Sequence, residues 1–383
     1  MNRKKKILVF VDWYLPGYKA GGPIRSVANM VSQLRDEYDF RIVTSDTDLH
    51  EEKPYAGIKK GEWTKGPDGC DVLYLPAEKR NYKEIESIIR EERADFIYLN
   101  SVFSKVFTIY PLLVRKRHFP VRKVILAPRG MLGAGALKIK GTKKKLFLLW
   151  SKISGLCRNI RWHASSVEEE KEIRKVFGKN ANVSVALNLS KSRSLVFNQR
   201  VKKPGWIKAV FLSRISYKKN LEGTLQLLRQ ARQGLEIEFD IYGPVEDMEY
   251  WRCCEELIKS MPSHVRVLYK GALPNEKVEE TLQQYHVSFL LTFNENFGHS
   301  IIESMAAGCL AFISDQTPWK GLEKARAGWD IPLRDEKKIA EALEHVIRMD
   351  QAEYDTWCRS AIAYADRVIN QSESLQQHRA LFS

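Results

Sequence analysis

Short apolar runs alternate with amphipathic stretches along the first half of the chain. KILVFVDW (Lys6–Trp13) has the pattern of a buried strand and ends in a polar, glycine-containing loop, YLPGYKAGG. Pro23 then opens a stretch in which Ile24, Val27, Val31 and Leu34 recur at helical spacing. Arg41–Ser45, Asp71–Pro76, Asp95–Asn100 and Lys123–Pro128 are further strand candidates, and Tyr82–Arg93 has helical periodicity between two of them. This alternation predicts an α/β unit with a parallel sheet covered on both faces.

The pattern restarts after a polar, basic stretch, SKSRSLVFNQRVKKPG (Ser190–Gly205), which reads as a linker because Pro204 and Gly205 punctuate it. Strand patterns follow at Ile207–Ile215, Ile237–Pro244, Val265–Gly271, Val287–Phe293 and Leu310–Asp315. The helical stretches NLEGTLQLLRQARQ, NEKVEETLQQY and SIIESMAAG lie between them. Two such halves predict two Rossmann-like domains, 1–190 and 206–354, joined by a linker at 191–205 and facing a shared cleft. Ligands in such sheets bind beyond the carboxyl ends of the strands. The last helical stretch, about 355–383, is expected to pack back on the first domain.

The length of 383 residues suits two cores rather than one. No run approaches the roughly 18 apolar residues of a membrane span. The basic start imitates a leader peptide, but its apolar stretch is short, is broken by Asp12 and lacks a small-residue cleavage site. Six cysteines without C-x-x-C spacing form neither a disulfide framework nor a zinc site. The expected location is the cytoplasm.

Charge adds a second asymmetry. The whole net charge of +15 falls in residues 1–190, and the remainder is neutral. Between Asp95 and Glu168 there is no acidic residue against fifteen basic ones. Such segregation implies an acidic partner, whether anionic lipid, phosphorylated acceptor or nucleic acid; a merely soluble basic surface is the plain alternative. Within Pro128–Trp162, Lys138, Lys140, Lys143, Lys144, Lys145, Lys152, Arg158 and Arg161 interleave with Leu146, Phe147, Leu148, Leu149, Trp150 and Ile153. A basic amphipathic stretch of this kind suits an anionic membrane surface or a lipid-diphosphate acceptor; a helix packed on its own domain would read the same way. No nucleic-acid module is present in the sequence, and none of these partners is expected to be nucleic acid.

The sharpest chemical signal is FNENFGHSIIESMAAG (Phe293–Gly308). A strand ends in a loop bearing Glu295, then Phe297 and Gly298, and a helix beginning His299-Ser300 and carrying Glu303. Amides at the positive end of that helix suit phosphate or sugar oxygens, and two carboxylates accept hydrogen bonds from polyols. A capping loop with a surface glutamate is the structural alternative. Gly21 and Gly22, just before Pro23, permit close backbone approach to a phosphate or sugar, or a plain tight turn. Asp46-Thr47-Asp48 is a D-x-D pair able to hold a divalent metal, but so short a motif recurs by chance, and no metal is expected.

The Glu-x7-Glu element with Phe-Gly inside it resembles the signature of retaining GT-B glycosyltransferases, specifically glycosyltransferase family 4. FLSRISYKKNL (Phe211–Leu221) resembles that family's G-R-L-x-x-x-K-N segment, with Arg214 and Lys219 in the matching places. IYGP (Ile241–Pro244) resembles its donor-pocket element around Gly243, although Val245 replaces a second small residue. HASSVEEEKEI (His163–Ile173), Asn188 and the loop at Gly21-Gly22 match further family segments. The resemblance implies that Glu303 binds the donor ribose, Glu295 contacts the transferred sugar, and Arg214 and Lys219 hold the diphosphate. Where many relatives carry a histidine, this chain has Pro128-Arg129-Gly130. That makes Arg129 a candidate acceptor-side contact, with His163 and His299 as nearby alternatives.

The resulting expectation is a retaining transferase. It would move sugar from a nucleotide-diphosphate donor to a saccharide or lipid-linked acceptor in surface-polysaccharide assembly, without a cofactor. Two rivals are an epimerase or phosphorylase on the same fold, and a basic membrane- or nucleic-acid-binding protein with an inactive sugar site.

Overall fold

The computed structural model describes residues 3–138, 141–190, 196–370 and 372–383. Lys140, the side chain of Lys138 and residues 191–195 of the expected linker lie outside the described residues. The chain divides into two compact units, Met1–Lys191 with Gln371–Ser383, and Ser192–Asn370.

The first unit is built on one sheet in the order β3-β4-β2-β1-β5-β6-β7-β8. Its strands are β1 (Lys5–Val11), β2 (Tyr38–Ser45), β3 (Trp63–Lys65), β4 (Asp71–Leu75), β5 (Phe96–Asn100), β6 (Lys123–Ala127), β7 (Arg161–Ala164) and β8 (Val183–Val185). The second sheet runs β11-β10-β9-β12-β13-β14. Its strands are β9 (Trp206–Leu212), β10 (Glu236–Tyr242), β11 (Val265–Tyr269), β12 (Val287–Leu290), β13 (Leu310–Ser314) and β14 (Gly328–Ile331). Pairing is parallel throughout, except that β3 runs antiparallel on β4.

Parallel strands are covered on both faces, which is why their sequences read as unbroken apolar runs. Ile7–Val11 of β1 and all of β13 are buried. The helix Gly22–Leu34 buries Ile24, Val27, Val31 and Leu34 on one face, with Ser26 and Met30 between them. The strands that periodicity misses are β3, β7, β8 and β14, each of four residues or fewer. A period of two cannot declare itself over so short a run.

Each sheet reverses its order once. In the first, β1 lies between β2 and β5; in the second, β9 lies between β10 and β12. Loops leaving the carboxyl ends of strands at such a reversal diverge to opposite faces, and the crevice between them is where α/β sheets bind ligands.

Two segments differ from expectation. Within 196–205 the chain is no free tether: Arg200 and Lys202 are buried in the second unit. The Arg200 guanidinium donates to the carbonyls of Ala307 and Gly308 at the end of the helix His299–Ala306. A cation there answers the negative helix end. Lys202 Nζ donates to the carbonyls of Ile347 (2.8 Å) and Met349 (3.0 Å). Basic residues look solvent-bound in sequence, yet these two satisfy carbonyls that helix ends leave unpaired. At the other end, the helix Gln351–Ile369 stays with the second unit and packs on His299–Ala306. Only Ser372–Leu381 and the residues after it join the first unit. There the fully buried Phe382 meets the rings of Tyr38, Phe96 and Tyr98 at 5.3, 5.8 and 6.2 Å.

Candidate active site

The loops after β9 and β12 meet at the reversal point of the second sheet. After β9 the chain makes a tight turn, Tyr217–Lys219, and Asn220 adopts a left-handed conformation. The Asn220 side chain caps the next helix by accepting from Gly223 N, and it donates to Leu291 O (2.8 Å) beyond β12. Thr292 Oγ1 and Phe293 N in turn donate to Lys218 O (2.8 and 3.0 Å). Glu295 N donates to Gln316 O (2.8 Å) after β13. Three loops are thus laced together, and they hold Lys219 against Glu295 as an ion pair through Nζ and Oε2.

Burial opposes ionisation of Glu295. The Lys219 ammonium, with help from Lys218 and the Asn296 N–H, outweighs it and holds the carboxyl below its usual range. Gly298 follows with φ 77° and starts the helix His299–Ala306, which no side chain caps. A Cβ at Gly298 would stand 2.7 Å from Ile301 Cδ1 and 3.0 Å from Glu295 Cγ, so only glycine lets the helix start this close to the carboxylate. Phe297 is buried between His299 (ring centroids 4.7 Å) and Trp319 (5.0 Å), which fixes the loop from beneath. Glu303 lies four residues after His299 and three after Ser300, and therefore shares their helix face.

Gly243 sits at the end of β10, where the chain touches the β9 loop. A Cβ there would stand 1.8 Å from Ser213 O. Ile215 and Val245 bridge the same two loops. Arg214 is drawn to this side: its Nη1 donates to Glu246 (2.8 Å), and both side chains are about one-third exposed. The two cations expected to act together are therefore held by different carboxylates, Lys219 by Glu295 and Arg214 by Glu246. Sequence reading also missed an aromatic pair at the mouth of the lysine loop. Tyr217 and Phe293 stack with centroids 5.1 Å apart while remaining 64% and 41% exposed.

Within the first unit, the glycine turn lies at the other reversal point. Gly21 has φ 67°, and a Cβ on Gly21 or Gly22 would meet nothing within 4 Å, so the space before the helix is open. Ser104 Oγ, after β5, donates to Asp12 (2.6 Å), after β1; burial pushes the Asp12 carboxyl up. Arg129, after β6, donates to Asn100 (2.6 Å), Asn188 and Tyr98 (2.8 Å). Each of these acceptors is neutral. His163 is a structural residue: its Nε2 donates to Ala186 O (2.8 Å), leaving Nδ1 to accept from Tyr98 Oη (2.7 Å). Burial holds it neutral, far below the usual histidine range. Asp46 and Asp48 are likewise committed, Asp46 to Arg80 (2.5 Å) and Asp48 to the amides of Tyr18, Lys19 and Leu49. Lys143 and Lys145 are exposed on the helix Gly141–Ile153, whereas Lys144 turns inward to Ala136 O (2.6 Å).

A locked lysine–glutamate pair, a helix start kept open by glycine, and a Glu-x7-Glu spacing all belong to 196–370. Residues 193–362 match the family model for glycosyl transferases group 1. The second unit carries a glycosyl transferases group 1 domain. Solved structures with the same fold cover 98–99% of the chain. Sucrose-phosphate synthase from Thermosynechococcus elongatus is 15% identical, with a TM-score of 0.71 and coverage of 99% of this chain and 98% of that one. Anabaena Alr3699/HepE in complex with UDP and glucose is 13% identical, with a TM-score of 0.69 and 98% of each chain covered. WaaG, a glycosyltransferase involved in lipopolysaccharide biosynthesis, is 12% identical, with a TM-score of 0.67 and 98% of each covered. No curated protein matches the chain in sequence. At these identities the likeness is one of fold, and the fold is GT-B.

Proposed function

We propose that the enzyme transfers a sugar, with retention at the anomeric carbon, from a nucleotide-diphosphate donor to a saccharide or lipid-linked acceptor in surface-polysaccharide assembly. It would work at the cytoplasmic face of a membrane. The observation that carries this reading is the Lys219–Glu295 pair beside the uncapped helix start at Gly298, at the reversal point of the group 1 domain. A departing nucleotide diphosphate gains negative charge as its bond to the sugar breaks. Lys219, joined by Arg214 once it leaves Glu246, stabilises that charge in a partly buried site where electrostatics are strong. No metal is needed for that role. Glu303 takes the donor ribose hydroxyls. Glu295 retains lone pairs for the transferred sugar, and Ser300 with the helix amides positions phosphate oxygens. The leaving phosphate oxygen takes the acceptor proton, so no side chain serves as base. The solved relatives are consistent with such a donor: HepE was captured with UDP-glucose.

The test is product analysis with a panel of nucleotide sugars, with and without acceptor, alongside thermal melting, since a ligand specific to the native state raises apparent stability. Acceptor-dependent release of nucleoside diphosphate supports the reading. Conversion of donor without acceptor would assign an epimerase. Glu303→Ala with unchanged donor binding and turnover would remove Glu303 from the site.

A further inference from the structure

We propose that the helix Gly141–Ile153 lies in the headgroup layer of an anionic phospholipid bilayer, and that a basic cavity at its end receives a phospholipid headgroup. Leu146, Leu149, Trp150 and Ile153 are 62%, 55%, 44% and 78% exposed. They sit at i, i+3, i+4 and i+7 and form one stripe along the helix. The opposite side is spoken for: Leu148 and Ser151 are buried, and Phe147 meets Phe103 at 5.7 Å. An exposed apolar stripe on an otherwise well-packed unit marks an interaction surface.

The flanking charge says which kind. At 100° per residue, Lys143 falls on one border of the stripe, and Lys145 and Lys152 on the other. Lys144 falls on the packed side, where its Nζ donates to Ala136 O (2.6 Å) and lies 5.2 Å from the Phe103 ring centre. A run of three lysines is thereby split, two toward the stripe and one toward the core. Among the described residues, no carboxylate pairs with Lys143, Lys145, Lys152 or Arg158. At the helix end an open cavity of about 850 Å³ is lined by Lys123, Lys152, Arg158 and Arg161, with no acidic residue in its wall. Lys152 belongs to both features, so the cavity adjoins the stripe.

No helix among the described residues is long and apolar enough to cross a membrane. Apolar side chains bordered by lysines suit the plane of the interface, where the former enter the acyl boundary and the latter meet lipid phosphates. A nucleic acid would satisfy the lysines and leave the four apolar side chains in water. The inference is independent of glycosyl transfer and would stand if the donor assignment failed.

The experiment is sedimentation of the full chain with vesicles of phosphatidylcholine alone or mixed with phosphatidylglycerol, at low and high salt. The expected result is binding to the anionic vesicles only, weakened roughly 10-fold or more by salt. Leu149→Glu/Ile153→Glu should lower the partition by roughly 10-fold or more while the melting temperature holds, since both side chains are exposed. Lys152→Glu/Arg158→Glu should remove the preference for phosphatidylglycerol. If the apolar variant does not fold, Lys143→Glu/Lys145→Glu decides the matter, with the same loss expected. Failure of the native chain to bind anionic vesicles overturns the proposal, as does unchanged binding by the folded variants. Displacement from vesicles by RNA homopolymer at equal phosphate would overturn it too, assigning the basic surface to nucleic acid.

Discussion

The reversal points of the two sheets are topologically alike and chemically opposite. In the second unit the crevice is filled: Lys219 and Glu295 are paired, loops after β9, β12 and β13 are cross-bonded, and glycines at 243 and 298 touch their neighbours. In the first unit the crevice is open at Gly21-Gly22, and its strongest cation, Arg129, rests on neutral acceptors. A filled, charged crevice suits a step in which charge develops at one place, because fixed charges need no rearrangement; under the proposed function that step is the departure of the diphosphate. An open crevice leaves room for a second substrate without fixing its contacts. Substitutions should therefore abolish function in the second unit and retune it in the first.

The largest effect is expected from Lys219→Ala. It removes a fixed cation and leaves Glu295 buried without its partner, so turnover should fall by roughly 10²–10³-fold and stability by about 3–5 kcal/mol. Lys219→Met with Glu295→Leu sharpens the point: unfolding curves should recover much of the stability while activity stays lost. Recovery of activity would break the contrast between the units. Gly243→Ala comes next. Its Cβ would stand 1.8 Å from Ser213 O, which forces the β9 and β10 loops apart, and a loss of about 3 kcal/mol is expected in chemical denaturation.

Acid should act on both units by one mechanism. Burial holds His286 in the second unit and His378 in the first down at about 4. The unfolded chain takes up these protons near the ordinary histidine pKa and the folded chain does not, so their contribution is whole above about pH 6.5. It falls by about 1.4 kcal/mol per pH unit for each group as pH drops toward 4. Melting temperature measured against pH should show this slope, and His286→Gln should flatten it for the second unit alone. The smallest effect is expected from Gly21→Ala. The left-handed backbone costs about 1–2 kcal/mol, and no clash is added. A larger rise in acceptor KM than in donor KM would mark the open space as the acceptor's; an unchanged KM for both would remove the glycine turn from the site.

The second unit's candidate site was more legible in sequence than the first's because its side chains lie near their own strand ends. Glu295 and Glu303 sit on one strand, loop and helix, and Lys219 lies a few residues past β9. The partner of Arg214 was not legible, since Glu246 reaches it only once Ile215 and Val245 bridge two loops. Arg200 and Lys202 read as linker residues because composition cannot distinguish a cation facing water from one facing a helix end. The run Lys143–Lys145 reads as a uniform patch, yet helical rotation sends Lys144 inward. Boundaries of long parallel strands were legible to within a few residues, and the short strands β3, β7, β8 and β14 were not, for want of a full period.

The path of the C-terminus has a consequence for dissecting the molecule. The chain leaves the first unit before Ser192, completes the second, and returns to lodge Phe382 among Tyr38, Phe96 and Tyr98. No single proteolytic cut releases either half whole. A fragment ending near residue 190 would face water with the socket of its missing aromatic ring, so domain-exchange chimaeras need two junctions, one on each side of the inserted piece.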